Sequence, residues 1–333
     1  MGLVHEDLTI MRSPEPLRTV VRNEELLLGP PHPSAMPIKL WRDQPPLPIV
    51  NFPQEYQARP FAPPRGVYEN AQIRIEWQTM DNRQPFYHRN CDVDEISYQI
   101  AGERTLMTEL GVIEHREGEF SRIPRGVSHD NYGRQESHLL FYIPATVEEL
   151  VGGVRSSEAV LPPFPGWAPG KINEAVTECM GTVGHDIAVF AADEEQLLDQ
   201  VTREKDRLQV LRGVADAGVT WLYSASAARL GVCHTSKPDD GRRYRRLLDA
   251  DEIQYQISGK RVLLTQRGVT ELGPGDFIRI PMGVAHASIT TEPVDYLIVQ
   301  ADRELHQMAE LSRTAQTYSP EWVAELRGGD QGV

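Results

Sequence analysis

Residues 94–129 read DEISYQIAGERTLMTELGVIEHREGEFSRIPRGVSH, and this stretch decides the fold because the chain contains it a second time. Residues 251–286 read DEIQYQISGKRVLLTQRGVTELGPGDFIRIPMGVAH, and 21 of the 36 aligned positions are identical without a gap. Two copies of one stretch at a constant offset indicate a duplicated folding unit. The sequence therefore predicts two similar domains in tandem.

Each copy has the pattern of short β-strands. Alternating runs such as Ile73-Arg74-Ile75-Glu76-Trp77 are typical of strands, and Gly and Pro residues punctuate the runs at turns. Strands of this length with frequent turns favour a small antiparallel barrel. The predicted fold class is all-β, with two tandem barrels and a few helices.

The first copy carries three potential metal ligands. His88 stands seven residues before Glu95, and His129 closes the repeated stretch. A lone histidine is most often an ordinary core or surface residue, but two histidines and a glutamate at matched spacings favour a metal site. We therefore predict a metal site formed by His88, Glu95 and His129.

The second copy lacks one of these ligands. Arg245 stands where the first copy has His88, while Glu252 and His286 are kept. A permanent positive charge at the place of a cation predicts that this copy binds no metal and that Arg245 pairs with Glu252. His234 could in principle replace the missing ligand, although an ordinary strand residue is the expected outcome.

The spacing of these residues resembles the two sequence motifs of the cupin family. In the first motif His88 is followed by Glu95, and six residues separate Glu95 from Gly102. The resemblance implies double-stranded β-helix (jelly-roll) barrels. The second motif appears twice, as Gly118, Pro124, Gly126 and His129 and as Gly275, Pro281, Gly283 and His286.

A narrower resemblance lies at residues 86–91, FYHRNC, which are similar to the metal-site segment of homogentisate 1,2-dioxygenases. The chain has one residue more between His88 and the glutamate than that family, so Asp94 stands at the family's distance. We favour Glu95 as the ligand, because its distance to Gly102 and its match with Glu252 fix the strand register. The resemblance implies an iron enzyme that cleaves aromatic rings.

Two imidazoles and one carboxylate leave three positions of a metal open, which suits Fe(II) oxygenases. Asn90 stands where many cupins have a further histidine, which leaves three protein ligands. The expected cofactor is Fe(II), and the expected partners are a small aromatic substrate and O2.

The expected substrate is an acid, and arginine is the natural partner of a carboxylate. Arg89 and Arg104 have counterparts in the second copy, Arg246 and Arg261, which favours a role in the fold. The better candidates lack such counterparts; they are Arg74, Arg83 and Arg125.

For proton transfer the sequence offers His138 and His115, although surface exposure is the commoner state of such residues. The predicted activity is a non-haem Fe(II), extradiol-type dioxygenase acting on a hydroxylated aromatic acid of the homogentisate, gentisate or hydroxyanthranilate kind. Two alternatives remain: oxidation of a non-aromatic substrate such as a diketone or a natural-product intermediate, and metal or small-molecule binding without turnover.

The composition narrows the setting. The formal net charge of −14 argues against nonspecific binding to nucleic acids or anionic membranes, which requires clustered cations. Four arginines between residues 242 and 246 are flanked by aspartates, so we expect a structural ion-pair network there. Three cysteines, no long apolar run and no signal-peptide pattern predict a soluble, cytoplasmic protein.

The chain divides by composition into five parts. A proline-rich arm should be extended rather than helical, and its apolar residues, among them Leu26, Leu27, Leu28 and Trp41, should bury on the chain's own barrels or on a neighbouring subunit. A homodimer or higher homo-oligomer is expected. Helices are predicted over residues 193–211 and from Pro320, with Ser319 as N-cap. The parts are the arm (1–65), metal-binding barrel (66–147), connector with helix (148–214), metal-free barrel (215–300) and helical tail (301–333).

Overall fold

The computed structural model describes residues 2–29, 45–58, 63–84, 87–165, 167, 173–177, 187–191, 194–215 and 218–328. Over these residues the chain is mainly β-structure with three helices, and its strands form two barrels, so the predicted all-β fold class with two tandem barrels is confirmed. No helix in these ranges is long and apolar enough to span a lipid bilayer. Trp41, Phe86 and Cys179 lie outside the described residues.

The N-terminal arm is not entirely extended. Its elements are β1 (Leu3–Thr9), β2 (Arg18–Asn23), α1 (Glu24–Leu28) and β3 (Pro48–Asn51). The helix α1 contradicts the expectation of no helix. It forms because the Asn23 side chain accepts a hydrogen bond from the N–H of Leu26 and so caps the turn, in a segment without proline.

Barrel 1 is built around two long strands. Its strands are β4 (Arg65–Glu69), β5 (Arg74–Met80), β6 (Tyr87–Asn90), β7 (Asp94–Thr108), β8 (Gly111–Arg116), β9 (Phe120–Ile123), β10 (His129–Ile143) and β12 (Arg155–Ser156). Strand β11 (Val147–Leu150) follows β10 in the chain but pairs with a strand of the second barrel. The strand β7 pairs with β10 from end to end, with an irregularity between Arg134 and His138. The first half of β7 also pairs with β9 and its second half with β8, so this one strand belongs to both sides of the barrel.

The connector contains β13 (Asn173–Thr177), β14 (Ile187–Ala191), α2 (Glu194–Arg203) and β15 (Gln209–Leu211). The predicted helix over 193–211 is therefore too long at its C-terminal end. The Glu204 carboxylate accepts hydrogen bonds from the backbone N–H groups of Lys205 and Asp206, which ends the helix. Val210 then pairs with Ser121 of β9, and Leu208, Val210 and Leu211 are buried.

Barrel 2 repeats the arrangement with shorter strands. These are β16 (Gly218–Ala225), β17 (Ala228–Thr235), β18 (Asp239–Asp240), β19 (Arg243–Leu247), β20 (Asp251–Ser258), β21 (Arg261–Thr265), β22 (Gly268–Leu272), β23 (Asp276–Ile280), β24 (Ala285–Thr290) and β25 (Val294–Ala301). By the repeat, β20 and β21 together correspond to β7, and β24 and β25 to β10. The tail adds β26 (His306–Gln307), β27 (Arg313–Thr314) and α3 (Pro320–Leu326), and α3 begins at Pro320 with Ser319 as N-cap, as predicted.

The strands of both barrels have one apolar and one polar face. Ile96 and Tyr98 of β7 pack in one hydrophobic core with Ile253 and Tyr255 of β20, so this core is shared by the two barrels. Burial of each such side chain contributes about 1.5–3 kcal/mol to the free energy of folding. The shared core therefore stabilises the contact between the two barrels. Because side chains alternate along a strand, the residues next to these apolar side chains in the sequence point into the barrels. These buried polar residues are Glu95, Ser97 and Gln99 in barrel 1 and Glu252, Gln254 and Gln256 in barrel 2.

The arm packs on barrel 2 of its own chain. Strand β1 lies parallel to β19, and β3 pairs with β23. Leu27 and Leu28 are buried in a core with residues of barrel 2, whereas Leu26 is 66% exposed. A contact with a second subunit through the arm stays a prediction.

The arginine cluster forms ion pairs, as expected, but the arm supplies two of the partners. Arg243 pairs with Asp7 at 2.6 Å and Arg246 with Glu6 at 2.6 Å. The aspartates that flank the cluster in the sequence do not pair with these two arginines, because parallel pairing of β1 with β19 brings the carboxylates of β1 alongside.

A buried carboxylate ties the tail to the arm. Glu24, at the start of α1, accepts two hydrogen bonds from the guanidinium of Arg327, at 2.6 and 2.7 Å, and one from the hydroxyl of Tyr244 at 2.7 Å. Burial alone would raise the pKa of Glu24, but these hydrogen bonds and the positive charge of Arg327 outweigh it, and the pKa lies below its ordinary value.

We expect Glu24→Gln to lower the free energy of unfolding by about 3 kcal/mol at pH 7, because Arg327 loses its buried partner. A carboxyl whose pKa is lowered by folding contributes stability above its unfolded pKa and loses it as the pH falls through the folded value. The difference between native and variant should therefore be largest at neutral pH and shrink below about pH 4.5. Urea unfolding of both proteins at several pH values measures this difference in the free energy of unfolding.

Glu25→Gln is the matched control, since Glu25 is the exposed neighbour and should change stability little. If Glu24→Gln lowers the free energy of unfolding by the same amount down to pH 3, or by no more than the control does, the ion pair of Glu24 with Arg327 contributes little to stability.

Candidate metal centre

His88, Glu95 and His129 come together inside barrel 1. His88 on β6 lies directly opposite His129, the first residue of β10, and their ring centroids are 4.1 Å apart. Glu95, near the start of β7, approaches both, and one ligand atom from each of the three residues lies within 4.8 Å of the others. All three side chains are buried.

Strand alternation decides between the two neighbouring carboxylates. Glu95 points into the barrel with the histidines. Asp94 points the other way, where it accepts hydrogen bonds from Nε of Arg122 at 2.8 Å and from the hydroxyl of Tyr223 at 3.2 Å. Asp94 is therefore not part of the triad.

A tight turn sets His129 beside β6. Gly126 has φ of +80°, a conformation that glycine adopts without strain. Its backbone N–H donates to the carbonyl of Asn90 at 2.7 Å, which ties the turn to the end of β6. Gly126 and His129 of the second motif are thus linked, because the turn at Gly126 fixes where β10 begins and so places His129.

The hydrogen bonds of His129 leave one ring nitrogen ready to bind a cation. Nδ1 lies 3.1 Å from the carbonyl of Val127, an acceptor only, so the proton of the neutral ring sits on Nδ1. Nε2 then carries a lone pair; it lies 3.3 Å from Oε2 of Glu95 and has no hydrogen-bond partner among the described residues. Two buried acceptors that face each other need a cation between them, either a proton or a metal ion.

Two further side chains hold the ligands in place. The Asn90 amide donates to Oε2 of Glu95 at 2.9 Å. The side-chain amide of Gln84 lies 2.6 Å from Nδ1 of His88. A rotation of this amide by 180° exchanges its oxygen and nitrogen, so that the oxygen accepts a hydrogen bond from Nδ1–H of His88. The other ring nitrogen, Nε2, is then directed towards Glu95 and His129. From the sequence, Asn90 is interpreted only as the position of a missing ligand, and no local signal points to Gln84, which lies in a loop before β6.

The protonation states suit a metal site. Burial, with the neighbouring His129, lowers the pKa of His88 to about 3, so this imidazole is neutral. Burial would raise the pKa of Glu95, but the two imidazoles and the Arg104 guanidinium outweigh it and hold the pKa at about 2. Burial would likewise lower the pKa of His129, yet the charge of Glu95 raises it. His129 and Glu95 thus share a proton that a metal ion would replace.

These residues fit a divalent transition metal. Two imidazoles and one carboxylate on one side of an ion form the set found in non-haem Fe(II) oxygenases, with the other coordination positions open. The unpartnered Nε2 of His129 and the Gln84 and Asn90 contacts are those expected around metal ligands.

In barrel 2 the Arg245 side chain lies where a metal cation would lie in barrel 1. Nη2 of Arg245 donates to both oxygens of Glu252, at 2.6 and 2.5 Å, which is the expected ion pair. Amides of Gln254 and Gln300 also donate to this carboxylate, at 2.6 Å each, so its oxygens are fully occupied. His286 keeps its position 3.7 Å from Glu252.

His234 does not rebuild a site in barrel 2. Its Nδ1 lies 2.7 Å from Asp295, its partner across β17 and β25, and the side chain is 29% exposed. Within the described ranges His88, Glu95 and His129 form the one cluster of three potential ligands.

The structure does not bring Arg83 or Arg125 into contact with the triad. Nε of Arg83 pairs with Asp130 at 2.6 Å. Arg125 lies beside Asp94 and donates to the carbonyl of Pro144, which places it on the strand face opposite Glu95. Arg74 pairs with Glu76 at 2.5 Å.

His115 and His138 are completely buried, so the expectation of surface exposure was wrong. Both lie on strands of barrel 1 with the side chain turned into the polar interior. Nδ1 of His138 bonds to the carboxylate of Glu136 at 2.9 Å. For His138 the strand periodicity alone does not reveal this, because residues 136–143 of β10 are buried on both faces.

No family model and no curated protein matches the chain. Among solved structures, a cupin 2 conserved barrel domain protein from Leptotrichia buccalis is similar at 10% identity and TM-score 0.48, over 78% of this chain and 98% of that chain. A mutant of oxalate decarboxylase from Bacillus subtilis is similar at 12% identity and TM-score 0.46, over 80% and 81%. AerE from Microcystis aeruginosa is similar at 10% and 0.41, over 72% and 96%. Similarities at this level do not say what the chain does.

Protein loaded with Fe(II) under anaerobic conditions should hold about one metal ion per chain, because Arg245 occupies the cation position in barrel 2. Metal analysis after gel filtration measures the ratio. About two ions per chain would contradict the asymmetric assignment, and Arg245→Ala tests whether the arginine alone excludes the second.

Replacing single ligands should separate the triad from its neighbours. His88→Ala, His129→Ala and Glu95→Ala should each abolish iron retention, because a site with two protein ligands binds the ion too weakly. Asp94→Ala and His286→Ala are the controls and should keep iron bound. Loss of iron in Asp94→Ala but not in Glu95→Ala would mean that the register of β7 is wrong.

Proposed function

We propose that the chain is an Fe(II)-dependent dioxygenase that cleaves the ring of a hydroxylated aromatic acid with O2. The observation that carries the proposal is the buried group of His88, Glu95 and His129, which places one carboxylate and two imidazoles around a common point. A set of three ligands leaves room for a substrate with two adjacent donors and for O2.

Each residue of the site has a distinct task in this proposal. His88, Glu95 and His129 would hold the iron, and Asn90 and Gln84 orient two of these ligands. Bound Fe(II) supplies the electronic coupling between O2 and an organic substrate whose direct reaction is spin-forbidden. The burial of all three ligands keeps bulk water from the reacting atoms.

Tyr142 adds a hydrogen-bond donor near the ligands. It lies opposite Glu95 in the pairing of β7 with β10 and is buried. Burial, with the charge of Glu95, raises the pKa of Tyr142 far above its ordinary value, so the phenol keeps its proton. A neutral O–H beside the ligand carboxylate is suited to hold a proton, not to accept one.

Turnover should require two adjacent donors on the substrate. Anaerobic loading with Fe(II), followed by O2 uptake against catechols, hydroquinones, aminophenols and hydroxylated aromatic acids, measures it. We expect O2 consumption with a new absorbance for compounds with an ortho pair of hydroxyl or amino groups, or a hydroxyl beside a carboxylate or acetate arm. Bidentate binding fixes the ring beside O2, and orientation supplies much of the rate.

Simple monophenols are the control and should not be turned over, since one hydroxyl cannot chelate. Faster oxidation of aliphatic diketones than of every aromatic would favour a non-aromatic substrate. Iron binding without O2 uptake on any member of the panel would favour a binding protein.

A further inference from the structure

A buried arginine inside barrel 1 has two nitrogens without a hydrogen-bond partner among the described residues, although the carboxylates of Glu136 and Glu95 act on its charge. The Arg104 side chain on β7 is 0% exposed. Nη2 contacts Oγ of Ser97 at 2.8 Å and Nδ1 of His115 at 3.0 Å. Nε and Nη1 have no hydrogen-bond partner among the residues that the structure describes. Most buried polar groups are paired, so these N–H groups call for an acceptor from outside the chain.

His115 adds another donor without a partner. Burial, with the nearby Arg104 charge, lowers the pKa of His115 well below its ordinary value, so the ring is neutral. Because an arginine can only donate, Nδ1 of His115 accepts from Arg104 and the ring proton sits on Nε2. This Nε2 is buried and makes no hydrogen bond of normal geometry in the described part of the chain, although the backbone of Glu119 lies close enough to act on the ring. The two touching side chains thus present donors only.

The second repeat contains a fully satisfied version of the same arginine. Arg261, the counterpart of Arg104, is also buried, but each of its nitrogens has an acceptor. Nε bonds to Gln256 at 2.8 Å, Nη1 to Ser288 at 2.9 Å and Nη2 to Gln254 at 2.7 Å. Its guanidinium also lies 3.9 Å from the ring centroid of Tyr296. The fold can therefore satisfy an arginine here without a ligand.

The equivalent positions of barrel 1 do not supply hydrogen-bond acceptors to Nε and Nη1 of Arg104, although the oxygens of Gln99 and Asn131 are themselves without partners among the described residues. Ser97 replaces Gln254 and is too short to do more than bind Nη2. Gln99 is kept in place of Gln256, but its amide nitrogen bonds to Glu136, and its oxygen has no partner among the described residues. Asn131 stands in the place of Ser288 and bonds to Gln84. The two repeats therefore differ in the side chains that surround this arginine.

The unsatisfied donors lie next to the candidate metal centre. Ser97, which contacts Arg104, is two residues after Glu95, so both side chains lie on the same face of β7. The Arg104 guanidinium is among the charges that act on Glu95. An acid bound to Arg104 would therefore lie beside the site of the metal.

We propose that Arg104, assisted by His115, binds the carboxylate of the substrate in barrel 1. The assignment of an aromatic acid rests on the proposed function, whereas the demand for an anionic acceptor rests on Arg104 and His115 alone. A carboxylate matches a guanidinium with two parallel hydrogen bonds and neutralises its charge. Arg104 thus takes the role that the sequence favoured for Arg83 or Arg125, whose guanidinium groups have partners elsewhere.

The test measures binding and not turnover. Benzoate and its neutral analogue benzamide are titrated into the full-length, metal-free protein, with thermal unfolding and calorimetry as readouts. Benzoate should raise the Tm of the native protein, because a ligand that binds only the folded state stabilises it, and benzamide should not. Arg104→Met should lose the benzoate shift. Arg104→Lys should weaken benzoate binding about tenfold, since it keeps the charge but not the paired geometry.

Arg261→Met is the matched control. It should lower the Tm without ligand, because Gln254, Gln256 and Ser288 lose their partner, but it should keep the benzoate shift. Without ligand, Arg104→Met should lower the Tm less than Arg261→Met does, since two of the Arg104 nitrogens have no hydrogen-bond partner to lose among the described residues.

An equal benzoate shift in native protein and Arg104→Met would overturn the proposal, and so would unchanged benzoate binding in Arg104→Lys if the Met variant does not fold. The proposed function fails separately. If Arg104 binds benzoate but no aromatic acid supports O2 uptake, the carboxylate site stands and the dioxygenase does not.

Discussion

The structure depends on a buried glutamate at the same place in each barrel, which must have a cation beside it. Glu95 and Glu252 occupy equivalent positions, and both are within a few per cent of full burial. A carboxylate without a counter-charge is too costly to keep in such a place. Barrel 2 meets the demand with Arg245, whereas barrel 1 offers two imidazoles and a proton that a metal ion can replace. The exchange of His88 for Arg245, together with the donors Gln254 and Gln300, therefore separates a structural ion pair from a candidate metal centre.

The polar interiors are compatible with a stable fold because the apolar faces of the strands meet elsewhere. Tyr98 and Tyr255 sit in a core that the two barrels share, so the hydrophobic contribution comes largely from the contact between repeats. Each barrel is then free to carry charged groups inside. Barrel 2 satisfies these groups among themselves, as Arg261 shows. Barrel 1 leaves several without partners, which is where a ligand has most to gain.

The arm gives barrel 2 a structural role that does not depend on a metal. Strand β1 extends one of its sheets and brings Glu6 and Asp7 to the arginines of β19. Arg327 from the tail closes on Glu24 of the arm. Barrel 2 thus anchors both ends of the described chain, and its hydrophobic contact with barrel 1 supports the strands that carry the triad.

The sequence by itself determined the repeat, the all-β class, the spacing of the triad and the loss of the second site. These follow from local rules, since alternation along a strand and a fixed offset between repeats decide which side chains share a face. The same register argument selected Glu95 over Asp94. The sequence did not determine the end of α2, the partners of the arginine cluster or the burial of His115 and His138. Nor did it distinguish Arg104 from Arg261, because equivalent arginines read alike in an alignment. That difference lies in acceptors contributed by separate strands, such as Gln254 and Ser288, and only the tertiary structure brings those strands together.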